Sequence, residues 1–135
     1  MASYVLVHGG WHGAWCWHRV VPLLMNAGHS VATPTLAGLG ERAGELHPAI
    51  DLELHVAEVT ASIEPGGPRD VVLVGHSYSG MVVAAVAARR ATRIAALVYL
   101  DAFVPHDGQS LFDLVTTERS NGLREMARLR GDGWA

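Results

Sequence analysis

The chain has 135 residues, half of them hydrophobic, and a formal net charge of −3 at pH 7. That length supports one domain with a buried core. No apolar run approaches the roughly 20 residues of a membrane span, the lack of a basic cluster speaks against a nucleic-acid partner, and the single cysteine, Cys16, excludes an intrachain disulfide.

In chain order, residues 4–7 (YVLV) read as a first buried strand. It ends in His8-Gly9-Gly10-Trp11-His12-Gly13, where three glycines allow unusual backbone angles and close approach to a ligand. No basic region precedes this strand, so no signal peptide and a cytoplasmic location are expected. Residues 15–27 read as a helix with Trp17, Val20, Val21, Leu24 and Met25 as its apolar stripe. Pro22 suits its first turn, so the ordered part begins late, and Gly28 suits its C-cap. Residues 30–36 (SVATPTL) form a weaker strand interrupted by Pro34, followed by a glycine-containing loop over residues 37–48. Asp51 is placed to cap a half-exposed helix whose stripe is Leu52, Val56, Val59 and Ile63, with Pro65-Gly66-Gly67-Pro68 as its stop.

Residues 71–74 (VVLV) suit a strand covered on both faces, and residues 81–88 a buried helix closed by Arg89 and Arg90, whose charges suit its C-terminal dipole. A fourth buried strand over residues 94–100 (IAALVYL) ends at Asp101, and a loop follows. Two helical pieces, residues 110–115 and 123–130, are separated at Asn121-Gly122. The stripe Leu123, Met126, Ala127 and Arg130 reads as packing rather than a partner site. Strands alternating with helices predict an α/β fold with a doubly wound, mostly parallel sheet flanked by helices. With the first strand beside the third, and the second and fourth outside them, the loop at Gly9, Gly10 and Trp11 lies beside Ser77 at the switch point.

The most informative stretch is residues 70–80, DVVLVGHSYSG. Ser77 sits on a tight turn between a buried strand and a buried helix, with small residues, Gly75 and Ser79, two positions to either side. This is the pattern of a nucleophile elbow, which lifts a hydroxyl clear of the sheet beside a helix N-terminus. The usual G-x-S-x-G is altered at its last position, where Ser79 stands and Gly80 follows one residue late. The plainer reading, a serine that only caps a helix, does not account for the strand, the small flanks and the apolar helix together. Two other motifs carry less. Gly38-Leu39-Gly40-Glu41-Arg42-Ala43 matches a dinucleotide fingerprint but opens no helix, and His8 and His12 lack a third metal ligand. No cofactor and no metal are expected.

The segments VLVHGGWHGAWCWHRVVPLL, AGHSVATPTLAGLGER, DVVLVGHSYSGMV and ALVYLDAFVPHDGQSLFDL resemble the α/β-hydrolase superfamily. Within it they are similar to the salicylate-esterase and hydroxynitrile-lyase-like branch, especially its bacterial esterases. The resemblance implies that residues 1–108 are the N-terminal part of the hydrolase core and residues 109–135 the start of a truncated helical cap. It implies Ser77 as nucleophile, and the backbone N–H groups of Gly10 and Tyr78 as an oxyanion hole. Such preorganised donors stabilise a developing oxyanion by about 2.7–4 kcal/mol each. Hydroxynitrile lyases of this branch carry threonine where this chain has Gly9, which implies hydrolysis of a small ester. His12, Trp15 and Trp17 either line the substrate pocket or pack in the core.

The resemblance places the triad's acid and base beyond Ala135. Only His106 follows Ser77, and it does not match the family's base; His76 reads as elbow support. Asp101 ends the fourth strand, where a minority of α/β-hydrolases place the acid, but a loop hydrogen bond or helix cap is the simpler role. Loss of the base costs roughly 10⁶ in kcat in a serine protease, so the 135-residue chain alone is expected to be nearly inactive. The alternative is a non-catalytic α/β module that binds a small apolar ligand or a partner chain through the same pocket. The fourth strand, as a free hydrophobic edge, is expected to favour self-association; no nucleic-acid or membrane partner is expected.

Overall fold

Four strands rich in β-branched residues pair side by side, all in parallel. They are β1 (Ser3–Val7), β2 (Ser30–Ala32), β3 (Val71–Ser77) and β4 (Ile94–Ala102), in the order β2-β1-β3-β4. This is the order read from the sequence. The computed structural model describes residues 1–63, 67 and 69–133. Contacts divide the chain into two compact units, Met1–Val104 and Pro105–Ala135. Among the described residues, no helix is long and apolar enough to cross a membrane.

Side chains alternate across the sheet with the period of two that a strand imposes. On one face, Val5 and Val7 of β1 and Val71 and Leu73 of β3 pack with α2 (Leu52–Ala61) and α3 (Ser79–Arg89), through Val56, Val59, Val82, Val83 and Val86. On the other face, Leu6 and Val74 pack with Trp17, and with half-buried Val21 and Leu24 of α1 (Val21–Asn26). Central β1 and β3 are therefore covered on both faces, as their continuous apolar runs require.

β4 departs from its expected burial. Leu97 and Tyr99 pack against the first core, but Val98 is 38% exposed and Leu100 47%. The register Val74↔Val98 and His76↔Leu100 sets those two on the α1 side, and β4 is the sheet's edge.

Other boundaries shifted for local reasons. The helix expected over residues 15–27 is a 3₁₀ turn, Ala14–Trp17, and then the short α1, because Pro22 can occupy only the first turn of a helix. Val20 and Met25, two of its expected stripe residues, are exposed. β2 stops at Ala32, before Pro34, which has no ladder N–H. The loop of residues 37–48 contains a 3₁₀ turn, Gly40–Glu45. α2 is capped by the Asp51 carboxylate, which accepts from the Leu54 N–H at 2.9 Å. Leu52 is exposed and His55 is buried on that helix, and the helix ends at Ala61; of its expected stop, Pro65, Gly66 and Pro68 lie outside the described residues.

In the second unit, α4 (Thr117–Arg130) runs unbroken through Asn121-Gly122, where a break was expected. One glycine costs a helix only about 1 kcal/mol, and here the Thr116 hydroxyl caps the first turn and Glu125 pairs with Arg128 at 2.7 Å. The expected helix over residues 110–115 is a 3₁₀ turn, Leu111–Asp113, held by a capping box between Ser110 and Asp113.

Two glycines give opposite predictions. A Cβ at Gly80 would fall on the Phe103 carbonyl oxygen, whereas one at Gly122 meets nothing within 4 Å. Gly80→Ala should lower the free energy of urea unfolding by about 1–3 kcal/mol. Gly122→Ala should raise the stability of α4 by about 0.5–1 kcal/mol. Circular dichroism during urea titration measures both.

Candidate active site

The site is built where β3 ends. Ser77 has φ of 54°, in the left-handed region that non-glycine residues seldom adopt. The chain then turns through Tyr78 alone before α3 starts at Ser79. Three packing constraints hold this turn. A Cβ at Gly75 would lie 2.8 Å from the Ser79 carbonyl and 2.6 Å from Val83, so only glycine lets α3 start against the strand. The Ser77 carbonyl accepts the Phe103 N–H at 3.1 Å. Ser79 is fully buried, and its hydroxyl donates to the His8 carbonyl.

The altered motif now has a physical reason. Ser79 takes the last motif position because its hydroxyl bonds β1's end to the elbow. The steric need for glycine moves to Gly80, where the Phe103 backbone crosses α3.

The loop after β1 lies against this elbow. A Cβ on Gly9 would approach Ser77 Cβ to 3.0 Å and His76 Nδ1 to 2.9 Å, and one on Gly10 would lie 3.8 Å from Tyr78 Cβ. His8 anchors the loop from beneath. It is fully buried, and its Nε2 accepts the Leu36 N–H at 3.0 Å, so Nδ1 carries the proton and donates to the Gly9 carbonyl at 2.8 Å. The Gly9 carbonyl and the Gly10 N–H belong to one planar peptide unit. Holding that carbonyl fixes the direction of the Gly10 N–H. The same logic applies to the Ser77–Tyr78 peptide, whose carbonyl is held by Phe103. Burial is the main cause that keeps the His8 pKa below its ordinary 6.5, opposed by the bond to Gly9.

Above the loop, the His12 ring stacks on Trp15 at 5.4 Å and meets the edge of His76 at 5.9 Å. His12 Nδ1 lies 2.8 Å from the Gly10 carbonyl. His12 and Trp15 thus gather beside Gly10 and the elbow. Trp17 takes the other of its two readings and packs in the core with Leu6 and Val74. A 3₁₀ turn has three residues per turn, so Trp15 and Trp17 point different ways. Asp101 has φ of 44° and is the extra residue where the register steps from Leu100 opposite His76 to Ala102 opposite Ser77. Its side chain is exposed. His106 belongs to the second unit, where its N–H donates to the Gln109 side chain at 2.8 Å.

Two contributors were not singled out from the sequence. Arg42, inside the decoy fingerprint, donates to the Thr35 carbonyl and to Glu58, each at 2.8 Å, and pairs with Glu45. Glu58 in turn accepts the Ala37 N–H at 3.0 Å. The fingerprint segment therefore braces the loop over α2. The other is His55, only 6% exposed, whose Nδ1 lies 2.9 Å from the Tyr78 hydroxyl and Nε2 3.0 Å from the Ala37 carbonyl. Its signal was present: residue 55 falls on the apolar stripe of α2, four before Val59. Burial, with the Asp51 charge as a lesser cause, pushes the Tyr78 phenol up to about 12. Among the described residues, no group of three His, Cys, Asp or Glu side chains is arranged to hold a metal.

A parallel 2-1-3-4 sheet with a left-handed serine at the end of its third strand, faced by a glycine loop from the first, defines an α/β-hydrolase architecture. The chain belongs to the alpha/beta hydrolase family, whose model matches residues 4–135. It is 51% identical over 115 residues to a carbendazim-hydrolysing esterase of a Nocardioides species, covering 85% of this chain and 48% of that protein. It is 39% identical over 111 residues to polyneuridine aldehyde esterase of Rauvolfia serpentina, covering 80% and 41%. The fold superposes with a TM-score of 0.88 and 31% identity on an extracellular α/β-hydrolase from a Paenibacillus species, described as sharing structural and functional homology with tobacco salicylic acid binding protein 2; the match covers 97% of this chain and 53% of that one. The chain spans about half the length of the curated relatives it matches.

His8 makes stability depend on pH. Its folded pKa lies below the ordinary 6.5 of an unfolded chain, so on acidification the unfolded state takes the proton first. The contribution is complete above 6.5 and is lost as the pH falls from there through the folded value. Urea midpoints from about pH 8 to about pH 5.5 should fall for the native chain, and His8→Asn, though less stable overall, should show a flatter profile.

Proposed function

We propose that the chain carries the nucleophile half of a serine carboxylesterase that acts on small esters. The observation that supports this most is the left-handed Ser77 directly against Gly9, with Gly10 facing Tyr78. In this reading the Ser77 hydroxyl oxygen attacks the ester's acyl carbon while a base takes its proton. The tetrahedral oxyanion accepts from the Gly10 and Tyr78 N–H groups. Collapse expels the alcohol, which takes that proton, and water then releases the acid and restores Ser77. Gly9 puts no side-chain hydroxyl beside the elbow, which favours hydrolysis over lyase chemistry.

His8 and His55 are engaged at both ring nitrogens, so neither is assigned as the base, and among the described residues no hydrogen bond joins His12 to Ser77, its Nδ1 facing the Gly10 carbonyl instead. The acid and base are assigned to the part of the longer relatives that this chain does not match. Residues 109–135 are assigned to the start of the helical cap, and His12 and Trp15 to the substrate's surroundings. The names of two of the relatives, both esterases, support an ester as substrate.

If the base is what the chain lacks, an external one should replace it. Alone, the 135-residue chain should hydrolyse a nitrophenyl ester no faster than Ser77→Ala. Added imidazole should raise acylation of Ser77, read by mass spectrometry, and leave Ser77→Ala unlabelled. An unlabelled Ser77 in imidazole, with retained binding of small apolar ligands, would replace this reading by the non-catalytic module.

In the same reading, the position of β4 at the end of the sheet favours pairing with a second copy of the chain. Val98 and Leu100 on that edge strand are exposed. Sedimentation should show association that increases with concentration and that Val98→Lys weakens. A monomer at every concentration would refute it.

A further inference from the structure

We infer that His55 is a positioning residue, which holds the oxyanion donor of Tyr78 through the Tyr78 side chain. The inference rests on the esterase reading above and extends it to a residue of α2. The Ala37 carbonyl can only accept, so the His55 nitrogen facing it at 3.0 Å, Nε2, must carry the ring proton. Nδ1 then offers a lone pair, and the Tyr78 hydroxyl donates to it at 2.9 Å. The imidazole is thus set in one neutral tautomer by its two partners, and its ring meets the Tyr78 ring edge-on at 5.8 Å.

This tether matters because it fixes the polar end of Tyr78, whose side chain packs on the first core and whose carbonyl accepts the Met81 N–H at 3.0 Å. Tyr78 stands at the N-cap of α3 with φ of −48° and makes no side-chain capping bond. Its N–H follows a left-handed residue that only its surroundings hold in place, so loss of one of those contacts would let the Ser77–Tyr78 peptide rotate and swing the donor away from the oxyanion. The Phe103 N–H holds the carbonyl end of that peptide, and His55 holds the far end of the Tyr78 side chain. The anchor beyond His55 is also shared. His8 accepts the Leu36 N–H and His55 donates to the Ala37 carbonyl, so adjacent buried residues reference both proposed oxyanion donors to one point of the chain. Arg42 and Glu58 fix that point in turn.

The test compares wild type, His55→Phe, Tyr78→Phe and the double variant. It measures the rate at which saturating nitrophenyl ester acylates Ser77 with imidazole present, and thermal melting reports folding. Each single variant should slow acylation about tenfold, short of the roughly 10²- to 10³-fold cost of losing an oxyanion donor outright. The loss should appear in the rate at saturation and not in the ester concentration needed to reach it. The double variant should be no slower than either single one, since both cut the same tether. If His55 only fills space, His55→Phe will slow acylation equally with Tyr78 or Phe at position 78, and the inference fails. Tyr78→Phe removes only the hydroxyl, so it decides the matter if His55→Phe does not fold: a wild-type rate overturns the inference. A wild-type chain that is never acylated at Ser77 overturns the esterase reading and this inference together. Normal acylation in all four chains overturns this inference alone.

Discussion

The structure depends on one crowded turn. Ser77 is held with φ of 54° because everything around it leaves no other course: α3 presses on Gly75, the Phe103 backbone crosses Gly80, and the β1 loop presses on the elbow from the opposite side. A left-handed non-glycine residue costs of order 1–3 kcal/mol and persists only where its surroundings over-determine it. Here the surroundings come from β1, β3, α3 and β4, all within the first unit. Packing of the sheet and geometry at the serine are thus one problem with one solution.

A second layer of polar contacts orients the groups that packing has brought together. The Gly9–Gly10 and Ser77–Tyr78 peptides are each held by their carbonyls, one by His8 and one by Phe103. A peptide plane held at its carbonyl presents its N–H in a defined direction, and hydrogen bonds in series polarise one another. Buried polar groups are costly unless satisfied. Both ring nitrogens of His8 and of His55 have partners, which lets two imidazoles sit in the interior as neutral struts.

The sheet is covered on one face, and on the other it is covered at β1 and β3 but exposed at β4. α2 and α3 cover the first core, while Val98 and Leu100 of β4 stay exposed beside a covered Val74. A chain that spans about half of its relatives' length carries the serine elbow and the loop that faces it, together with a strand, β4, that among the described residues pairs on one side only. Its proposed chemistry and its proposed self-association both follow from that one architecture.

Patterns that depend on near neighbours could be read from the chain itself. The apolar runs at residues 4–7 and 71–74, the glycines after His8 and the small residues around Ser77 state locally what each segment must do, and they were enough for the strands and the elbow, while the strand order came from the general topology of a doubly wound sheet. The Asp51 cap was legible for the same reason, because its partner is three residues away. What the tertiary structure decided involves residues far apart in sequence. Only the fold brings Phe103 across Gly80 and so explains why glycine stands one position late. Only the fold brings His55 to Tyr78, which turns an ordinary stripe position into a tether. Trp15 and Trp17 were indistinguishable on paper and were separated by the 3₁₀ turn that carries them. Likewise the exposure of β4 depends on which strands and helices come to lie beside it, and no local run of apolar residues states that.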